Sequence, residues 1–237
     1  MSLNAKKVAG NSKFKRPDPV EAGTYPARLV QIVSLGMQAQ RAYKGEEKAP
    51  KIDLYLTYEL VDEFLVDEEG NELHDKPRWI SETIPLNNLN SDLAKSTKRY
   101  FALDPTSEHD GDFSALGGTP CMLTVSVDVS KSDPTVSYNN IASVQAMRPK
   151  DAAKMPELKN PVKVFDFDEP DMTVYFSLPE WLQKKITESL EYEGSPLQAL
   201  VDAGNPNESE EKPKTTKKSQ KQEELNDSAD EEDDGEW

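Results

Sequence analysis

Between residues 51 and 61 the chain reads KIDLYLTYELV, with Ile52, Leu54, Leu56, Tyr58 and Leu60 at every second position and Asp53, Tyr55, Thr57 and Glu59 between them. Side chains of a strand point alternately to its two faces, so this period of two describes a strand with one core face and one solvated face. Such a strand is not stable alone. It belongs in an antiparallel sheet that covers its apolar face, and the neighbouring segments must supply that sheet.

They do so in a definite order. Residues 23–36, GTYPARLVQIVSLG, are rich in β-formers and bounded by glycines; Leu29, Val30, Ile32, Val33 and Leu35 are apolar on both faces, which predicts a central strand covered on both sides. Residues 37–50, MQAQRAYKGEEKAP, read as a long loop carrying Arg41, Tyr43, Lys44 and Lys48. DEEGNE at 67–72 is a turn, and PRWISETIPL at 77–86 a third strand. SDLAKSTKRYFAL at 91–103 predicts a helix capped by Ser91, with a stripe of Leu93, Thr97, Tyr100 and Phe101 and with Lys95, Lys98 and Arg99 as solvated charges. GTPCMLTVSVDV at 118–129, with Cys121, Leu123, Val125 and Val127 inward, and TVSYNNIASVQAM at 135–147 are strands four and five, joined by a KSDP turn. Five strands with a helix between the third and fourth is the order of a five-stranded OB-fold barrel, within a mainly β chain. Another β-sandwich or an α+β domain is the alternative.

The barrel segment spans 21–147. Ahead of it, residues 1–20 form a basic arm with Lys6, Lys7, Lys13, Lys15 and Arg16. Behind it, 148–204 predicts an extension packed on the barrel. Its SLPEWLQKKITESLEY segment should be a helix capped by Ser177, docking through Leu182, Ile186 and Leu190 with Trp181 beside them, and SPLQALV a further turn or two. Residues 205–237 are a lysine-bearing linker and an acidic end, too poor in apolar residues to offset the entropy of ordering.

Several functional classes recede. No run of 18 apolar residues exists and the N-terminus lacks an apolar signal core, so neither membrane insertion nor export is expected, and one cysteine fits a reducing cytoplasm. No phosphate-binding glycine loop, G-x-S-x-G, H-E-x-x-H or C-x-x-C pattern occurs. The expectation is a protein that is not an enzyme and needs no cofactor. The acidic groups Glu108, Asp110 and Asp112 around His109, and Asp166, Asp168, Glu169 and Asp171, read as solvated surface rather than metal ligands, and Cys121 as core.

Binding is better represented. Single-strand binders combine cations along the backbone with rings on which bases stack. The candidate cations are Arg41, Lys44, Lys48 and Lys131, and the candidate rings Tyr43, Tyr55 and Trp79. Charge argues in the other direction: the net value is −16, and residues 1–204 hold 23 Lys and Arg against 32 Asp and Glu. A polyanion site therefore requires a local positive island. The last fifteen residues hold nine acids, no base and a terminal ring. Such a segment serves as a solubility tag, or as a mimic of single strands and a hook for basic partner pockets through Asp230, Glu231, Glu232, Asp233, Asp234, Glu236 and Trp237.

The stretches EAGTYPARLVQIVSLG, PRWISETIPLNNLNSDLAKSTKRYFALDP and GTPCMLTVSV, together with the DEEDDGEW end, resemble the single-stranded-DNA-binding proteins of tailed phages, and more distantly their bacterial counterparts. That resemblance implies a body that coats single-stranded DNA during replication and recombination without strong sequence preference, in the host cytoplasm. It also implies an acidic tail that recruits replication and recombination proteins and competes with DNA. A homo-oligomer is allowed by it. The rival expectations are an acidic DNA mimic that inhibits a host nucleic-acid enzyme, and a virion-associated structural protein. The acidic body and the long 148–204 extension depart from a minimal OB domain.

Overall fold

The computed structural model describes residues 17–204. The basic arm up to Arg16 and the acidic end with Asp230, Glu231, Glu232, Asp233, Asp234, Glu236 and Trp237 lie outside the described residues. The protein is mainly β. Strands β1 (Gly23–Tyr43), β2 (Glu46–Val66), β3 (Glu72–Pro85), β4 (Pro120–Val129) and β5 (Ser137–Ala146) form one antiparallel sheet in the order β3-β2-β1-β4-β5, and a short β6 (Lys163–Phe165) runs parallel to β1. Helix α1 (Lys95–Leu103) follows β3, and a 3-10 turn (Phe113–Leu116) precedes β4. Helices α2 (Pro149–Ala152), α3 (Met172–Ser177), α4 (Glu180–Thr187) and α5 (Pro196–Asp202) belong to the C-terminal extension.

The two-sided apolar pattern of β1 has the predicted consequence. Leu29 and Ile32 join Leu56, Tyr58, Leu60, Ile84, Tyr100 and Leu123 in one core, while Val33 and Leu35 join Phe165, Tyr175, Leu182, Ile186 and Leu197 in a second. The first core is enclosed by the curled sheet and α1. The second lies between the sheet and the extension, which β6 anchors through its ladder from Gln31 to Val33. Gly36 (φ 71°) gives β1 a left-handed residue where Phe167 and Ser189 press in; a Cβ there would lie 2.9 Å from both.

The sheet is open. β3 and β5 end the ladder path and share no strand pairing. One side chain spans the seam between them. Arg99 on α1, 3% exposed, donates to both oxygens of Glu82 on β3 (2.7 and 3.0 Å) and to the Ile141 carbonyl on β5 (3.2 Å). This corrects the expectation of Arg99 as a solvated charge: the helix turns it inward, where a carboxylate and a carbonyl satisfy its fork.

Other local expectations change for identifiable reasons. α1 starts at Lys95, after a turn in which the Ala94 amide bonds the Ser91 carbonyl, so Ser91 does not cap it. Leu93 falls outside the helix and is 88% exposed. Ser177 ends α3 instead of opening α4, because the chain straightens through Leu178 and Pro179. Leu182 and Ile186 dock as expected, but Leu190 lies past the end of α4 and is exposed. Val127, expected inward, is 38% exposed where β4 outruns β1.

Candidate nucleic-acid interface

The stretch 37–50 is not a loop. β1 continues to Tyr43 and β2 begins at Glu46, with Tyr43 paired to Glu46 and Gln40 to Lys48. Between them Lys44 (φ 52°) and Gly45 (φ 84°) form a two-residue turn with both residues left-handed, the geometry whose twist matches that of the flanking strands. The result is a two-stranded arm. Arg41, Lys44 and Lys48 are exposed on it. Across 38–51 there are four cations, Arg41, Lys44, Lys48 and Lys51, against Glu46 and Glu47.

The base of the arm is held by polar contacts. Gln40 Nε2 donates to Asp53 Oδ1 (3.1 Å). Gln38 Nε2 donates to the Leu35 carbonyl (2.8 Å) and to the Lys185 carbonyl at the end of α4 (3.0 Å). The Met37 amide donates to Glu191 Oε1 (3.0 Å), and its carbonyl accepts from the Leu190 amide (2.8 Å). Burial pushes the Asp53 carboxyl up, opposed by the Gln40 bond and by the charges of Lys185 and Lys51. Lys51 Nζ bonds Asn87 Oδ1 in the loop after β3. Lys51 and Lys185 thus extend the cationic region beyond the predicted set; Lys51 was hidden at the start of an alternating strand and Lys185 in an amphipathic helix.

The predicted ring platform has a different setting. Register pairs Tyr55 with Thr83 and Glu59 with Trp79, so Tyr55, Thr57, Glu59 and Trp79 share one face. The extension crosses that face. Tyr55 is half-buried, edge-on to Trp181 of α4 at 5.3 Å between ring centroids. Glu59 is buried and accepts from Trp79 Nε1 (3.0 Å), the Lys159 amide (2.7 Å) and Asn160 Nδ2 (2.7 Å). Trp79 keeps 40% of its surface exposed. Arg28 on β1 secures the same crossing through the Pro156 and Met155 carbonyls (2.8 and 3.4 Å).

Lys131 is not brought to the arm. β4 runs antiparallel to β1, pairing Gly23 with Val125, so the β4–β5 turn lies beyond the start of β1 and the arm tip beyond its end. The β2–β3 hairpin tip shares the Lys131 end and is strongly acidic: residues 62–75 contain seven Asp and Glu and no Lys or Arg. Within it Asp67 receives the Glu69 and Asn71 amides (2.9 Å each), and the Asn71 bonds hold its carboxyl below the usual range. The two hairpins flanking β2 therefore carry opposite charge. Its 21 residues, at roughly 3.3 Å each, separate the tips by far more than a Debye length of about 8 Å. Among the described residues no group of three or more His, Cys, Asp or Glu is placed to hold a metal, and no helix is long and apolar enough to cross a membrane.

No family model matches the chain, and no curated protein or solved structure is significantly similar to it.

Proposed function

We propose that this protein binds single-stranded DNA, without enzymatic activity, in replication or recombination of a phage genome. The observation that carries the reading is the β1–β2 arm, a local positive region on an acidic body, with Arg41, Lys44, Lys48 and Lys51 flanking Tyr43 along the chain. Strand order supports it: β3-β2-β1-β4-β5 is the order of an OB barrel opened between β3 and β5, and the connection between the first two strands of that fold is one of its oligonucleotide-contacting segments. The arm cations neutralise phosphates, and Tyr43 supplies a ring for stacking, worth about 1–3 kcal/mol per base. Tyr55 and Trp79 are secondary contributors, since the extension crosses their face. The acidic end, Asp230 to Trp237, recruits replication and recombination proteins and competes with DNA for the arm.

The acidic β2–β3 hairpin favours a second reading, a DNA mimic that occupies the basic site of a nucleic-acid enzyme. Mobility-shift assays on single- and double-stranded 30-mers at low salt separate the two. The main reading predicts a shift of the single strand only, lost in Arg41→Glu/Lys44→Glu/Lys48→Glu. No shift of either probe removes it and leaves the mimic.

A further inference from the structure

The loop after β3 and the loop after α1 border an open, shallow groove of about 490 Å³, lined by Leu86, Asn87, Asn88, Leu89, Asp110, Gly111 and Phe113. That volume lies within the roughly 300–1,000 Å³ range of small-ligand sites. It opens beside the base of the arm, where the Leu86 amide bonds the Ile52 carbonyl and Lys51 bonds Asn87.

The two loops that line it are held from behind by side chains of α1. Ser96, Thr97 and Tyr100 are all buried, an unusual set for the inner face of a helix. Ser96 Oγ accepts the Asn87 amide (3.0 Å), Thr97 Oγ1 donates to the Asn88 carbonyl (3.4 Å), and Tyr100 Oη accepts the Gly111 amide (2.7 Å). Asp104 fixes the far loop through the Glu108 and His109 amides (3.0 and 2.9 Å) and the Tyr100 hydroxyl (2.8 Å). Gly111 (φ 91°) lets that loop approach Leu89, which a Cβ would meet at 3.2 Å. Both walls are thus fixed to one helix, which pre-organises the space between them.

We infer that this groove receives one unstacked base of the single strand held by the arm, and that it favours bases bearing an exocyclic amine; this rests on the single-strand reading above. Leu86, Leu89 and Phe113 offer apolar surface to a ring. The Asp110 side chain offers two carboxyl oxygens as hydrogen-bond acceptors. It therefore takes the N4 amine of cytosine or the N6 amine of adenine and repels the O4 of thymine. The lysine at the rim keeps the adjacent phosphate close.

Fluorescence anisotropy with labelled dC12 and dT12 tests this on the full chain. The wild type should bind dC12 about tenfold more tightly. Asp110→Asn suits the left-handed backbone at that position (φ 49°) and should reduce the preference below twofold by raising dT12 affinity, because the amide can donate to thymine O4 as well as accept from the cytosine amine. Leu89→Trp, which fills the groove, should bring dC12 down to the dT12 value. Lys44→Glu/Lys48→Glu should weaken both oligonucleotides equally. Equal binding of dC12 and dT12 by the wild type, or a preference that survives Asp110→Asn, overturns the groove and leaves the arm standing. Binding of neither oligonucleotide at low salt overturns both.

Discussion

Arg99 and Glu82 are the pair on which the open seam depends. Both are buried, joined by two hydrogen bonds, and Arg99 also holds Ile141 across the gap. Removing one partner leaves the other charged in a site closed to water, at a cost of about 3–5 kcal/mol. Arg99→Met should lower the stability read from urea unfolding by that much, whereas a surface exchange such as Lys98→Met should leave it nearly unchanged. Cys121 gives a second residue-scale expectation. Burial pushes its thiol up to about 12 from an ordinary value of 9.0. Above pH 9 the unfolded chain releases this proton and the folded chain keeps it, so the contribution is intact below pH 9 and is lost as pH rises toward 12. The loss is roughly 1.4 kcal/mol per unit. Urea midpoints between about pH 8 and 11 should fall more steeply for the wild type than for Cys121→Ala. The core role of Cys121 was legible because it alternates with Leu123 and Val125. The burial of Arg99 was not: its partners lie 17 and 42 residues away, and a stripe count sees only its charge.

At the scale of elements, alternation reads well where one face is buried and poorly where neither is, and the two expected serine caps, Ser91 and Ser177, do not cap their helices. The inner parts of β2 and β4, and the Leu182 and Ile186 positions of α4, follow from period alone. The arm did not, because its residues show no apolar alternation, while Lys-Gly is a weaker turn signal than Asn-Gly. A Cβ added at Gly45 would meet nothing within 4 Å, so the effect of Gly45→Ala is purely conformational. It should destabilise the arm by about 1–2 kcal/mol and weaken single-strand binding, read by thermal melting and anisotropy. Gly36 is the opposite case: Gly36→Ala forces Phe167 and Ser189 away. Limited proteolysis should then cleave the 155–190 region faster than in the wild type, while the β4–β5 hairpin stays resistant. The covering of Tyr55 and Glu59 by this region had no local signature, since Glu59 meets Asn160 from 101 positions away.

For the molecule as a whole, the distribution of charge matters more than its sum. Net −16 argues against a polyanion ligand, yet the β2–β3 hairpin gathers seven acids without a Lys or Arg while the arm carries a surplus of cations. Removal of residues 223–237 should tighten single-strand binding several-fold at low salt, with the effect fading by about 0.5 M as screening shortens; equal affinity with and without them eliminates the competing role of the tail. The most direct measurement of the central claim is the salt dependence of binding to a single-stranded 30-mer. Each phosphate-neutralising cation contributes roughly 0.7 to the slope of log Kobs against log salt. A wild type engaging its arm should therefore show a slope of about −2 to −3. Arg41→Ala, Lys44→Ala and Lys48→Ala, introduced in turn, should each flatten it by about 0.7. A slope that stays constant through all three substitutions would contradict the assignment of the arm as the DNA-binding element.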